Sequence, residues 1–198
     1  MHPIRSLLLI TLATVLGACT TPGIRPGVDD HERWQLSGKI GLRGPQLAES
    51  AYINWRQCGN LFDIRISGPL GQTVARIDGS GEQLRVWFEG HDPVQTNEPE
   101  LLMQQQLGWS VPLRALRYWV RAEAAPGQTA ALVGATHQPD SLQQLGWQVN
   151  YLSYHQSNAN QTAPTVLPAK VRMDDGHGLQ ATLIINEWLL STAVTGCP

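Results

Sequence analysis

Between Trp34 and Glu89 the chain alternates apolar and polar residues five times over, and only short turns break the rhythm. Trp34, Leu36, Gly38, Ile40 and Leu42 share one side of 34–43, opposite Gln35, Ser37, Lys39, Gly41 and Arg43. Ala51, Ile53 and Trp55 repeat the pattern in 50–57, and Phe62, Ile64 and Ile66 repeat it in 61–67. Thr73, Ala75 and Ile77 follow in 72–78, then Leu84, Val86 and Phe88 in 82–89. Successive side chains of a strand point to opposite faces, so a period of two sorts the apolar residues onto one face. Five such strands joined by tight turns make an antiparallel meander whose apolar face must be covered. The glycines Gly38 and Gly41 predict bending or close backbone approach.

The period then changes. Asn97-Glu98-Pro99-Glu100 predicts a helix start, with Asn97 as N-cap and Glu100 at capping-box distance. Leu101, Leu102, Met103 and Leu107 follow, and Gly108 predicts the stop. Ser110-Val111-Pro112 opens a second helix, with Leu113, Leu116, Trp119 and Val120 on one face and Arg114, Arg117 and Arg121 on another. Those arginines read either as a solvated face or as a contact for lipid phosphate or an acidic partner. Strand signals return at 130–133, 141–144, 147–154, 169–173 and 179–185, with a polar loop at 157–165. About ten strands with a helical insertion predict a mainly β fold: a curved, partly closed antiparallel sheet with the helices as plug or lid.

One turn stands out. In Ser67-Gly68-Pro69-Leu70-Gly71, Pro69 fixes φ and the glycines permit a tight backbone. Leu70 then has little of its own hairpin to pack on. It either folds back onto a neighbouring loop or stands exposed as an apolar probe, aimed at a membrane or at another protein's apolar ligand.

The N-terminus suggests which. Arg5 precedes a short apolar run, Leu7 to Leu16, too short for the ~20 residues that span a bilayer. It reads as a signal peptide over 1–18. Leu16-Gly17-Ala18-Cys19 resembles a bacterial lipobox, which predicts lipidation at Cys19. Thr20, rather than Asp, favours the outer membrane. Two or more acyl chains make such anchoring stable. Residues 19–33 read as lipidated N-terminus and Pro/Gly/polar tether, 34–190 as the folded body and 191–198 as a tail. In the oxidising periplasm Cys58 and Cys197 could pair, and the sequence leaves this open.

Net charge −2 and a pI near 6.3 argue against nucleic acid, which wants a basic face. Only 15% of residues are charged, against the ~25% usual for globular chains, so much apolar surface is enclosed. Each of the seven tryptophans needs an N–H partner if buried. G-x-S-x-G, H-E-x-x-H and a Gly-rich phosphate loop are not found, the histidines lack ligand spacing, and Asp174-Asp175 read as hairpin-turn residues. The expectation is a binding protein rather than an enzyme, with neither metal nor cofactor.

Several pieces, in order, make the chain resemble the LolB family of outer-membrane lipoprotein receptors. They are Trp34-x-x-x-Gly38-Lys39-Ile40-Gly41, Trp55, Gly68-Pro69-Leu70-Gly71, Glu100-Leu101-Leu102 and Gly108-Trp109-x-Val111-Pro112. Leu116-x-x-Trp119-Val120, Gly146-Trp147-x-Val149-x-Tyr151, Leu167-Pro168 and Trp188 continue the match. Arg121-Ala122-Glu123 departs from it, because the family often has a glycine after the Trp-containing helix.

The resemblance implies an open, incomplete β-barrel of about 10–11 strands, with a helical lid over an apolar cavity, similar in shape to the soluble carrier LolA. It implies a protein that takes acylated lipoproteins from a LolA-type carrier and inserts them into the inner leaflet of the outer membrane without ATP, as a periplasm-facing monomer. Pro69, Leu70 and Gly71 would form the membrane-insertion loop. The apolar faces supply cavity candidates: Ile40, Leu42, Ile53, Trp55, Ile64, Ile66, Leu84 and Val86 from strands, and Leu101, Leu102, Leu116, Trp119 and Val120 from helices. The alternatives are a periplasm-facing lipoprotein that binds another apolar ligand such as a free lipid, or a structural outer-membrane lipoprotein with a filled core.

Overall fold

The computed structural model describes residues 33–80, 83–155, 166–190 and 194. The leader, Cys19, the tether up to residue 32, the loop expected at 157–165, Cys197 and most of the tail lie outside these.

Eleven strands form one antiparallel sheet. They are β1 (Arg33–Gly44), β2 (Leu47–Cys58), β3 (Leu61–Ser67), β4 (Thr73–Gly79), β5 (Leu84–Phe88), β6 (Val94–Thr96), β7 (Ala130–Ala135), β8 (Gln138–Gln144), β9 (Trp147–Tyr154), β10 (Pro168–Asp174) and β11 (Gln180–Leu190). Helices α1 (Pro99–Leu107) and α2 (Leu113–Trp119) lie between β6 and β7. The sheet order is β6-β5-β4-β3-β2-β1-β11-β10-β9-β8-β7. Two meanders are therefore joined where β11 pairs with β1, and the free edges are the two strands that the helices connect. The result is a barrel left open at one seam, with the helices filling its apolar side.

Alternation carries the register. Trp34 and Leu36 on β1, Ile53 and Trp55 on β2, and Ile64 on β3 are buried together with Val149, Val171 and Leu183 from the second meander. The outer face of β3–β5 carries a charge ladder, with Arg76 Nη2 3.0 Å from Asp63 Oδ2 and Arg85 Nη2 2.7 Å from Asp78 Oδ2. Gly38 sits at a bulge: Ser37 pairs with Glu187 but Gly38 with Ile185. A Cβ there would run into the carbonyl oxygen of Ile184, so the expected close approach is real at Gly38, whereas at Gly41 the nearest atom to such a Cβ would be 3.9 Å away.

The helix entry differs from expectation. The N-cap of α1 is Glu98, with Pro99 in the first turn, and no side chain caps it. Glu100 therefore sits one position too early to reach back as a capping box. Its Oε1 instead accepts the backbone N–H of Leu113, 3.1 Å away, at the start of α2. Gly108, at φ 77°, ends α1 as expected. At the exit of α2, Glu123 N–H donates to the Tyr118 carbonyl and Ala122 N–H to that of Trp119, a Schellman closure. Ala122 occupies its left-handed position at φ 64°, the place where a glycine was missed in the sequence.

Asp174 and Asp175 are turn residues, their carboxylates accepting the N–H groups of Gly176, His177 and Leu179. Buried Cys58 is disulfide-bonded, and Cys197 lies outside the described residues.

A candidate apolar ligand site

Antiparallel alternation gives the barrel two ends. One carries the β1–β2, β3–β4 and β5–β6 turns, and the other carries Arg33 with the β2–β3 and β4–β5 turns. Near Arg33 the inward side chains of β1 are closely packed. Trp34 packs against Trp55 and Trp188, with ring centroids 5.0 and 5.5 Å apart, and Leu36 is fully enclosed. Toward the opposite end the same inward positions line a cavity of about 420 Å³. That volume falls in the ~300–1,000 Å³ range of ligand sites.

Ile40 and Leu42 of β1, Ile53 and Trp55 of β2, Ile64 and Ile66 of β3, and Leu116 of α2 all line it, as the alternation predicts. Phe88, Met173 and Ala181 add to it from other strands, and Met103, Leu107, Trp109, Val111 and Leu113 come from the helices and their linker. Other expected lining residues stand elsewhere. Trp119, Val120 and Val86 are buried in the core, and Leu84, also buried, borders a separate recess of about 490 Å³ at the Arg33 end. Leu102 packs against that core, and Leu101 is half exposed. The inward stripe of α1 is Met103 and Leu107, an i,i+4 pair whose phase the run Leu101-Leu102-Met103 hides.

Glu49 is a lining residue that sequence reasoning missed. Its parity with Ala51 and Ile53 places it inward, but β2 begins earlier than expected. It brings a carboxylate to the rim of an otherwise apolar space.

The β3–β4 loop forms one lip. Gly71 N–H donates to the Gly68 carbonyl at 3.0 Å, and Gly68 N–H to the Gln72 carbonyl at 2.9 Å. Pro69 and Leu70 are the central residues, Leu70 keeps a negative φ, and Gly71 takes φ 84°. Pro69 lines the cavity mouth, while Leu70 points away from it and is 93% exposed. The exposure that the sequence left open is thus present.

The opposite wall is held by polar bonds. Gln144, buried on β8, accepts from Trp119 Nε1 and from Ala125 N–H, each at 2.8 Å, and donates to the Ala125 carbonyl at 2.8 Å. This ties the end of α2 to the sheet. Nearby, burial raises Tyr151 far above the usual phenol range, and its hydroxyl has no hydrogen-bond partner among the described residues. Burial, and then Asp140, push Tyr154 up to about 12.

A family model described as Outer membrane lipoprotein LolB matches residues 32–188. The chain belongs to the LolB family. It is 35% identical to the outer-membrane lipoprotein LolB of Stutzerimonas stutzeri over 95% of this chain and 97% of that one. To the LolB of Pseudomonas fluorescens Pf-5 it is 33% identical over 94% and 96%. Among solved structures, a LolA superfamily protein from Nitrosomonas europaea superposes with TM-score 0.50 at 13% identity, covering 85% of this chain and 88% of that one. A DUF1329 family protein from Desulfovibrio piger gives 0.56 at 6% identity, over 85% and 89%. At such identities the likeness is one of fold: the open barrel with its helices is shared where the sequences are not.

Proposed function

We propose that this LolB-family chain is an outer-membrane receptor, anchored through Cys19 and facing the periplasm, that accepts acylated lipoproteins from a LolA-type carrier and inserts them into the membrane without ATP. The observation that carries this reading is the pairing of an apolar cavity with Leu70, an almost fully exposed leucine on its lip. Each buried CH₂ is worth about 0.8 kcal/mol, so acyl chains cannot cross water bare and need such an enclosure. An energy-free relay needs only that each acceptor bind better than its donor, tenfold per ~1.4 kcal/mol.

The volume sets a further condition. A dry cavity of ~150 Å³ holds one benzene, so about 420 Å³ has room for on the order of one long acyl chain. Uptake of two or three chains therefore requires an outward shift of one wall. α1 is the candidate, because only Pro99 and Met103 of its residues are buried, whereas α2 is pinned through Gln144.

The test uses the mature chain with Cys19→Ala. It should bind an apolar fluorescent probe and take an acylated lipoprotein from a loaded carrier. Binding of neither would refute the reading; binding of the probe alone would leave a protein for single-chain lipids.

A further inference from the structure

The arginines of α2 are not used by the cavity. Arg114, Arg117 and Arg121 lie on its outer side, over the end of the barrel opposite Leu70. Arg117 stacks on Tyr118 with its guanidinium 4.7 Å from the ring centroid, and Nη1 donates to Asn60 Oδ1 at 3.3 Å on the β2–β3 turn. It stands between two recesses of about 490 and 350 Å³ and lines both. The first also holds Arg114, Asn60 and Ser80, and the second Gly59, Arg121 and Glu123. Arg121 pairs with Glu123 at 2.9 Å. Arg114 and Arg117 hydrogen-bond only neutral groups among the described residues: the Asn97 carbonyl, the Asn60 amide oxygen and the Tyr118 hydroxyl. Two guanidinia without a counter-charge among the described residues, beside open recesses, leave donors for an anion.

The position of the face selects that anion. Arg33 pairs with Cys58 and Ser67 with Tyr52, so six residues of β2, about 20 Å, separate the chain's entry from the base of the Leu70 loop. The arginines are at the entry end. From Arg33 back to Cys19 is 14 residues (33 − 19), a stretch that reaches about 50 Å at most. A lipid anchor at Cys19 would thus attach the body to the bilayer through this end.

We infer that the Arg114/Arg117/Arg121 face rests on the phosphates of anionic phospholipids in the membrane that holds the anchor. This rests on the reading of Cys19 as lipidated. In that seat the cavity mouth and Leu70 face away from the bilayer, toward the incoming carrier, and delivery requires the body to turn over on its tether.

The mature Cys19→Ala chain, which contains the whole fold from Arg33 to Leu190, is sedimented with vesicles of neutral phosphatidylcholine or of 70:30 phosphatidylcholine to phosphatidylglycerol. It should bind the anionic vesicles and not the neutral ones, and bind less as salt rises from 50 to 200 mM. Each basic residue near an anionic surface is worth about fivefold, so Arg114→Gln with Arg117→Gln should weaken binding on the order of 25-fold. The Arg114→Lys, Arg117→Lys pair keeps the charge and should stay within about threefold of the parent. Equal binding to both vesicle types, or full-strength binding by the Gln pair, would overturn the inference, as would a Lys pair as weak as the Gln pair. Lipoprotein uptake from the loaded carrier is measured alongside. It should be unchanged in both pairs, and its absence in the parent would count against the carrier reading and not against the arginine face.

Discussion

The two halves of β1 have the same period and different fates. Trp34 and Leu36 are locked into a packed floor with Trp55 and Trp188, whereas Ile40 and Leu42, on the same face, look into open space. The strand pattern alone decides which face is apolar. What lies across the barrel decides whether that face is filled: near Arg33 it meets bulky indoles, and near the mouth it meets α1 and the 108–112 linker, which stop short. Along β1, one half therefore supplies stability and the other lines room for a ligand.

The sharpest way to break this comparison is to shorten one residue in each half. Leu36→Ala leaves a void among packed neighbours and should cost about 3 kcal/mol. Ile40→Ala enlarges a space that already exists and should cost only about 1 kcal/mol, since the cavity part of the penalty is largely absent. Urea denaturation of both variants checks this, and equal losses would mean that the upper half is packed after all.

A smaller effect concerns the wall beside α2. The Tyr151 hydroxyl is buried without a partner among the described residues, so Tyr151→Phe should raise stability at neutral pH by about 1 kcal/mol. Burial raises both Tyr151 and Tyr154 above the ~10 of an unfolded tyrosine. A raised folded pKa favours the neutral form, so the associated stability is complete below pH ~10 and is lost as pH climbs through about 12 for Tyr154. Thermal melts should fall across that window, and less steeply in Tyr151→Phe.

The smallest expected effect is at the exit of α2. Ala122 holds a left-handed position at φ 64°, where a side chain is disfavoured by about 1 kcal/mol or more. Ala122→Gly should add roughly 0.5 kcal/mol, after the flexibility it gives the unfolded chain is subtracted. A loss on this substitution would show that the Schellman closure carries no strain.

Much of the fold was legible because alternation is a local property. The strands from Trp34 to Phe88 and from Trp147 to Ile185 lie within a few residues of where the period places them. The three-residue β6 is too short to show a period. Glu100 was misread because the capping box depends on which residue is the N-cap, and that shifted from Asn97 to Glu98 once Pro99 took the first turn. The site was half legible. Parity picks out Ile40, Ile53, Ile64 and Ile66 as inward, but it cannot separate them from Val86, which is just as inward and buried outside the cavity. Depth along a strand is set by long-range packing. Leu70 was conspicuous as an apolar residue on a Pro-Gly turn, yet its exposure depended on where the neighbouring loops end.

The central claim is that the hollow half receives acyl chains and Leu70 hands them on. Leu70→Glu separates these steps, because its side chain is almost wholly exposed and its replacement should change stability by less than about 0.5 kcal/mol. The decisive measurement is transfer of an acylated lipoprotein, first from a loaded carrier to the variant and then from the variant to liposomes. The expected result is acceptance within about twofold of the parent and delivery at least about tenfold slower, the loss of ~1.4 kcal/mol of membrane contact. Delivery at the parent rate would contradict the account and leave Leu70 an ordinary turn residue.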